Sequence, residues 1–292
     1  MSNRMKVLIA YDGSDCADAA IAELPRAGLP DEVEFMVLSV IENWLPPPSG
    51  LEIVQHIDRD QEFKLLAMQA ANRLREMAAG WTAKAELSVG APASQILEKA
   101  EQWKPDLIVM GAHGRTALGR FFFGSVSQKV LHEANCPVRV AREPEQKSDR
   151  PLRLLIGFDG SSGATETLRV VTARKWPAGT EARVVYAAWP SLEFASKPMV
   201  GQIADWLADE DLKIKRKIDD VVRDLNAAGL NTSSVIKAEN PKQLLINEAE
   251  SWKADCIFVG ARGLGTLERL RLGSVSSAIA ARADCSVEVV HS

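Results

Sequence analysis

The sequence predicts an α/β protein built from two copies of one doubly wound domain, each a five-stranded parallel sheet with helices on both faces. Three observations lead there. Strand-length apolar runs alternate with longer stretches of helical spacing along the chain, as in successive βαβ units. Runs such as DLIVMG, residues 106–111, are continuously apolar, as strands covered on both faces must be. The chain also repeats itself. Gly111, Gly114, Gly124, Ser125, Val126 and Ser127 recur as Gly260, Gly263, Gly273, Ser274, Val275 and Ser276, at a constant offset of 149. The same offset carries Pro92 to Pro241, Trp103-Lys104 to Trp252-Lys253, Asp106 to Asp255 and Cys136 to Cys285. Near the start of each half the offset is 147, taking Asp12-Gly13-Ser14 to Asp159-Gly160-Ser161. A repeat this long is a duplicated domain rather than a solenoid unit.

Each element follows in order. Lys6–Ala10 reads as a strand, and Ser14 or Asp15 can cap a helix running to about Leu24. Glu34–Val40 is a second strand. A loop with Pro46, Pro47 and Pro48 leads to a helix from about Glu52 to Ala79. Ala83–Val89 is a third strand, and a helix starts near Pro92, where a missing N–H costs nothing. Asp106–Met110, a helix over Ser125–Ala134 and a strand over Val138–Ala141 complete the half. The second half repeats the pattern with strands near Arg153–Gly157, Glu181–Ala187, Ser233–Ala238, Cys256–Val259 and Val287–Val290, and a long helix over about Gln202–Ala228. The expected domains are 1–145 and 146–292. Their linker is REPEQKSDRP, Arg142–Pro151, which lacks apolar periodicity and contains two prolines.

Composition limits the function classes. A chain of 292 residues, 46% hydrophobic and 25% charged, has the balance of a globular protein with full cores. A formal charge of −4 gives no electrostatic reason to expect nucleic acid. No stretch approaches the roughly 18 apolar residues of a membrane span. The N-terminal apolar run is too short for a signal peptide. Cys16, Cys136, Cys256 and Cys285 form no CxxC pair, and are expected to be reduced thiols of a cytoplasmic protein.

The glycine-rich loops carry the chemistry. Ligands of open parallel sheets sit beyond the carboxyl ends of the strands. Glycines let backbone N–H groups approach an anion, and a helix starting at Gly124-Ser125 or Gly273-Ser274 adds its own N–H groups and dipole. Ser125, Ser127, Ser274 and Ser276 supply hydroxyls. These features describe a phosphate cradle, against the plainer alternatives of ligand-free loops, helix-capping serines and turn-forming Asp12 and Asp159. His113 is expected to face solvent. Trp103 and Trp252 are expected to pack, and Lys213, Lys215, Arg216 and Lys217 to form a solvated helix face.

The spacing Gly-x2-Gly-x9-Gly-Ser in both halves, with an aspartate after the first strand in IAYDGS and IGFDGS, resembles the nucleotide-binding branch of the universal stress protein family in tandem form. The resemblance covers essentially the whole chain. It implies two Rossmann-like domains of the adenine nucleotide alpha hydrolase type and bound ATP or another adenine nucleotide. Asp12 and Asp159 would meet the ribose or adenine side. Val40, with Ala187 as a looser counterpart, would meet adenine through the backbone. Gly111, Gly114, Gly124, Ser125 and Ser127 would hold phosphates in the first half, and Gly260, Gly263, Gly273, Ser274 and Ser276 in the second. Mg²⁺ would ride on the phosphates, with few protein ligands of its own. It also implies that the fifth strands, in CPVRVAR and CSVEVVHS, lie adjacent in an intramolecular pseudo-dimer, with a homodimer of the chain and a protein partner as further possibilities. Departures are Glu239 in place of Gly90, Arg262 in place of His113, and Leu270-Arg271-Leu272 in place of Phe121-Phe122-Phe123.

Three function classes follow: an ATP-binding stress-response regulator, a weak ATPase or autophosphorylating enzyme, and a nucleotide-independent interaction scaffold. No Walker GxxxxGK[ST], Ser-Gly-Gly-x-Asp-Ser or His-x-Gly-His sequence is present, and no kinase-like aspartate pair. The pattern therefore favours a binder with slow or no hydrolysis.

Overall fold

A computed structural model describes residues 4–42, 52–114, 123–142, 150–188, 200–263 and 272–291, with backbone alone for 52–59 and 200–211. The Pro46–Pro48 loop, most of the linker, Phe121-Phe122 and Leu270-Arg271 lie outside them. The first half runs β1 (Met5–Ala10), α1 (Asp15–Ala22), β2 (Val33–Ile41), α2 (Glu52–Met77), β3 (Trp81–Val89), α3 (Pro92–Trp103), β4 (Leu107–Gly111), α4 (Ser125–Glu133) and β5 (Val138–Ala141). The second runs β6 (Arg153–Gly157), α5 (Ser162–Thr172), β7 (Glu181–Ala187), α6 (Val200–Ala227), β8 (Asn231–Lys237), α7 (Pro241–Trp252), β9 (Cys256–Gly260), α8 (Ser274–Arg282) and β10 (Ser286–Val290).

Differences from the sequence expectation are local and have causes. Helix α1 stops at Ala22 and passes into a 3-10 turn over Leu24–Arg26, where Pro25 cannot donate to an α-helical ladder. Strand β3 begins earlier, at Trp81, whose ring packs on Phe35 with centroids 4.9 Å apart. Helices α3 and α7 end on Lys104 and Lys253, both left-handed with φ 51° and 55°. Asp106 and Asp255 then bind back to the sheet, each accepting at 2.7 Å from a backbone N–H of its first strand, that of Lys6 or Arg153. The repeated Trp-Lys-x-Asp stretches are thus structural staples.

The strands form one sheet in the order β3-β2-β1-β4-β5-β10-β9-β6-β7-β8. All pairs within a half are parallel, as the sequence predicts. In-plane alternation assigns the two faces. Val7, Ile9, Phe35 and Val109 point to α1 and α2, while Leu8, Met36, Ile108 and Val138 point to the side of α3 and α4. The second core runs unbroken into the other half, through Ile257, Ile279, Val287 and Val289. Strand order reverses between β1 and β4, and again between β6 and β9, creating a crevice at the carboxyl ends in each half.

The fifth strands lie adjacent, as expected: β5 and β10 pair antiparallel, with Val140 opposite Val287, Arg139 opposite Glu288 and Val138 opposite Val289. Arg139 and Glu288 are buried there. Arg139 Nη1 donates to Glu288 Oε2 at 3.2 Å and Arg139 Nε to Glu23 Oε1 at 2.7 Å. Arg174 forks onto both Glu288 oxygens, with Nη1 at 2.9 Å from Oε2, and Ser286 Oγ donates to Glu23 at 2.7 Å. Each buried charge therefore meets an opposite one. All four cysteines are free, and burial pushes the Cys136 and Cys285 thiols up to about 12, leaving them protonated packing groups at neutral pH. Among the described residues no helix is long and apolar enough to cross a membrane.

Candidate functional site

Two loops meet at the β1/β4 crevice, and their copies meet at β6/β9. The first loop leaves β1 at Asp12-Gly13-Ser14. Asp12 Oδ1 accepts from the Ser14 backbone N–H at 3.0 Å and from its hydroxyl at 2.6 Å. Gly13 takes a left-handed φ of 74°, which glycine adopts without a Cβ penalty. Ser14 caps α1, accepting from Ala17 N–H at 3.3 Å. The second half rebuilds this with Asp159 accepting from Ser161 N–H at 2.9 Å, Gly160 at φ 78° and Ser161 capping onto Ala164 N–H at 3.1 Å. The caps are thus the serines, and the aspartates hold the turn.

The repeated glycines serve different purposes. A Cβ on Gly111 would lie 2.7 Å from Cys16 Cβ, and one on Gly260 would lie 2.6 Å from the Gly163 carbonyl carbon. Glycine at these positions lets the first turn of α1 or α5 close onto the strand end. At Gly114 a Cβ would stand 2.7 Å from Asp12 Oδ2, and at Gly263 2.4 Å from Asp159 Oδ2. The missing side chains bring the two loops together in both halves. Gly124 and Gly273 occupy the N-cap positions of α4 and α8, in extended conformation, and as glycines bring no side-chain cap of their own. Their N–H groups bond to Ala112 O at 2.9 Å and Ala261 O at 2.7 Å, so residues 112 and 124, and 261 and 273, lie side by side. The first turns of α4 and α8 thus start without a cap from the side chain of their own N-cap residue, and the positive end of the helix dipole lies there.

The four serines split into two pairs. Ser125 and Ser274 are exposed at the helix starts. Ser127 and Ser276 are buried, and their hydroxyls donate to Gly111 O at 2.9 Å and Gly260 O at 2.6 Å. Those protons are already committed to the strand ends. Val40 and Ala187 sit half-buried near the ends of β2 and β7, strands that flank β1 and β6. Beside Val40, Gly90 has φ 143° and its N–H donates to Ile41 O at 2.9 Å. Glu239, at the equivalent turn, has no positive φ, and its N–H instead donates to Lys237 O at 3.1 Å. The substitution thus comes with a different turn.

Two contacts were not legible from spacing. His113, expected to face solvent, is half-buried with Nε2 3.4 Å from Cys16 Sγ, because Gly111 draws α1 against the loop. Tyr11 Oη donates to Asp18 Oδ1 at 2.7 Å, and Arg73 Nη2 donates to the same oxygen at 2.5 Å. Phe158 replaces Tyr11 in the second half, so this cluster is not repeated. Burial, then the bond to Asp18, pushes the Tyr11 hydroxyl up to about 12. Raising the folded value favours the neutral phenol in the native state. The resulting stability is full below about pH 10, the unfolded value, and is lost as pH rises towards 12. Tyr11→Phe is expected to flatten that alkaline decline in denaturant midpoints, and to remove the tyrosinate absorbance step near pH 12.

Against known proteins, the universal stress protein family model matches residues 3–142 and again 152–291. A universal stress protein of Methanocaldococcus jannaschii is 31% identical over 148 residues, covering 49% of this chain and 84% of its own length. One from Mycobacterium bovis is 25% identical over 290 residues, covering 94% of this chain and 92% of its own. The crystal structure of a universal stress protein from Archaeoglobus fulgidus superposes with a TM-score of 0.68 at 22% identity, over 98% of this chain and 96% of that one, a likeness of fold. With two matched copies spanning nearly all of its length, the chain belongs to the universal stress protein family and is a tandem member of it.

Proposed function

We propose that each half binds an adenine nucleotide, ATP foremost, and that the bound state biases the conformation or partner choice of a stress-response regulator. One observation carries this: in both halves a helix starting on a glycine N-cap follows a loop whose first glycine meets an aspartate, at the point where strand order reverses. Phosphates would lie on the first-turn N–H groups of α4 or α8, with the Ser125 or Ser274 hydroxyl as a further donor. Asp12 or Asp159, a carboxylate, suits ribose hydroxyls rather than phosphate. The ends of β2 and β7, at Val40 and Ala187, would flank the base. Mg²⁺, where present, would be carried by the phosphates. Gly90 leaves the turn beside Val40 uncharged, whereas Glu239 adds a carboxylate, so the first half is assigned the tighter site.

Among the described residues, the site offers donors to bound phosphates and little to drive their transfer. Asp12 and Asp159 are engaged in turns, and the Ser127 and Ser276 protons are engaged with carbonyls. A positioned base within hydrogen-bond reach is what fast hydrolysis needs. The test is isothermal titration of nucleotide-free full-length protein with MgATP, coupled to a phosphate-release assay. Saturable binding with release slower than about one turnover per minute supports a regulator. Absence of binding would sink the nucleotide reading, and rapid multiple turnover would replace the regulator with an enzyme.

A further inference from the structure

The seam between the halves is asymmetric at the positions where a symmetric dimer has to match itself. Residues 138, 139 and 140 correspond to 287, 288 and 289 through the offset of 149. In the observed register Val140 faces Val287 and Val138 faces Val289, so the pair Arg139–Glu288 lies on the pseudo-two-fold axis. A residue on such an axis meets its own equivalent. Two first halves would place arginine against arginine there, and two second halves glutamate against glutamate. The duplicated chain has opposite charges at this one buried point.

A steric difference beside the axis acts the same way. The Trp176 ring packs over Gly28, where a Cβ would come within 2.8 Å of it, and Gly28 is left-handed with φ 69°. The Lys175 N–H donates to Gly28 O at 3.0 Å. By the 147 offset, the second-half equivalent of Gly28 is Lys175 itself. A pair of second halves would therefore set Trp176 against a lysine in place of a glycine. Ser286, which donates to Glu23 across the seam, corresponds to Pro137, which has no donor.

We infer that the β5–β10 face is a partner-selecting surface, built so that a first half accepts a second half and rejects another copy of itself. Its own counter-charges do not remove the selection. Glu23 belongs to the half of Arg139, and Arg174 to the half of Glu288, so each like pair would be neutral as a whole. What a like pair loses is the cross-seam ion pair, the glycine floor under Trp176 and the Ser286–Glu23 bond. It gains like charges in direct apposition in a buried place, a repulsive element of the kind that sets specificity. The surface fits one partner, the complementary half, from the same chain or from a second copy.

The test uses the full-length chain with a protease site placed within residues 143–149, cleaved while folded. Native mass spectrometry is then run on a mixture of isotopically labelled and unlabelled cleaved protein. The expected spectrum contains unlike pairs, including mixed-label ones after exchange, with like–like pairs at least tenfold rarer. Like–like pairs near the 1:2:1 statistical ratio overturn the inference. Halves found only as free monomers overturn it too, since pairing would then depend on the tether. Glu288→Arg, which gathers Arg139, Arg174 and the new cation, is expected to release the halves after cleavage, whereas Lys175→Ala, at an exposed ion pair, leaves them paired. Retention of unlike pairing in Glu288→Arg would remove the axis charges as the discriminator. If that variant does not fold, the wild-type distribution decides alone.

Discussion

Glu288→Leu is expected to destabilise the protein by about 3–5 kcal/mol, the scale for removing one partner of a buried ion pair. Glu288 is fully buried and accepts from both Arg139 and Arg174. Leucine fills much of the volume and cannot accept a hydrogen bond. Two guanidinium groups would be left in the seam, with Glu23 as a counter-charge to Arg139 and the Ala27 carbonyl, 3.1 Å from Arg174 Nη1, as a remaining acceptor. Glu288→Gln keeps one acceptor oxygen for the guanidinium groups, although its amide N–H faces them as a second donor, and is expected to cost less. Lys175→Ala removes an ion pair whose side chains are 65% and 80% exposed, and is expected to cost under about 1 kcal/mol. Urea denaturation of the three variants gives the order directly. A loss in Glu288→Leu no larger than in Lys175→Ala would show that the seam charges are hydrated.

Gly114→Ala and Gly263→Ala are each expected to lower nucleotide affinity in their own half by tenfold or more, about 1.4 kcal/mol. The new Cβ would fall 2.7 Å or 2.4 Å from an aspartate oxygen. That aspartate cannot simply swing aside, because its other oxygen holds the turn through Ser14 or Ser161. Either the turn opens or the glycine loop recedes from it, and both change the shape of the crevice. Native stability should fall by only about 1–3 kcal/mol, the usual range for overpacking. Calorimetry is therefore expected to show one weakened site and one unchanged site in each single variant, and two weakened sites in the double variant. Unchanged affinity in both, with the fold intact, would separate the aspartate–glycine contact from ligand binding.

Most of the fold was legible in the sequence because it rests on local signals. Continuous apolar runs marked the parallel strands, Pro92 and Pro241 marked helix starts, and the 149-residue offset exposed the duplication. The glycines were visible, but their separate purposes were not. Gly111 is dictated by Cys16, Gly114 by Asp12, and Gly124 sits at the N-cap of α4. Spacing alone cannot distinguish a packing glycine from one that opens a ligand site, since both demand a missing Cβ. The serines shared the same ambiguity: Ser125 is exposed while Ser127 is bonded to the strand end two residues along. The seam was partly legible. CPVRVAR and CSVEVVHS alternate apolar and charged residues like exposed edges, and only their pairing buries Arg139 and Glu288. The missed clue was opposite charge at equivalent positions.

The proposed binding mode puts phosphates on the N-termini of α4 and α8. Amide chemical shifts of isotopically labelled protein, recorded with and without MgATP, test that placement most directly. Large shifts are expected at the Ser125 and Val126 N–H groups, and at Ser274 and Val275 as the second site fills, with the Gly114 and Gly263 amides moving alongside them. Saturable binding that leaves these amides still and perturbs residues away from the β1/β4 and β6/β9 crevices would contradict that placement.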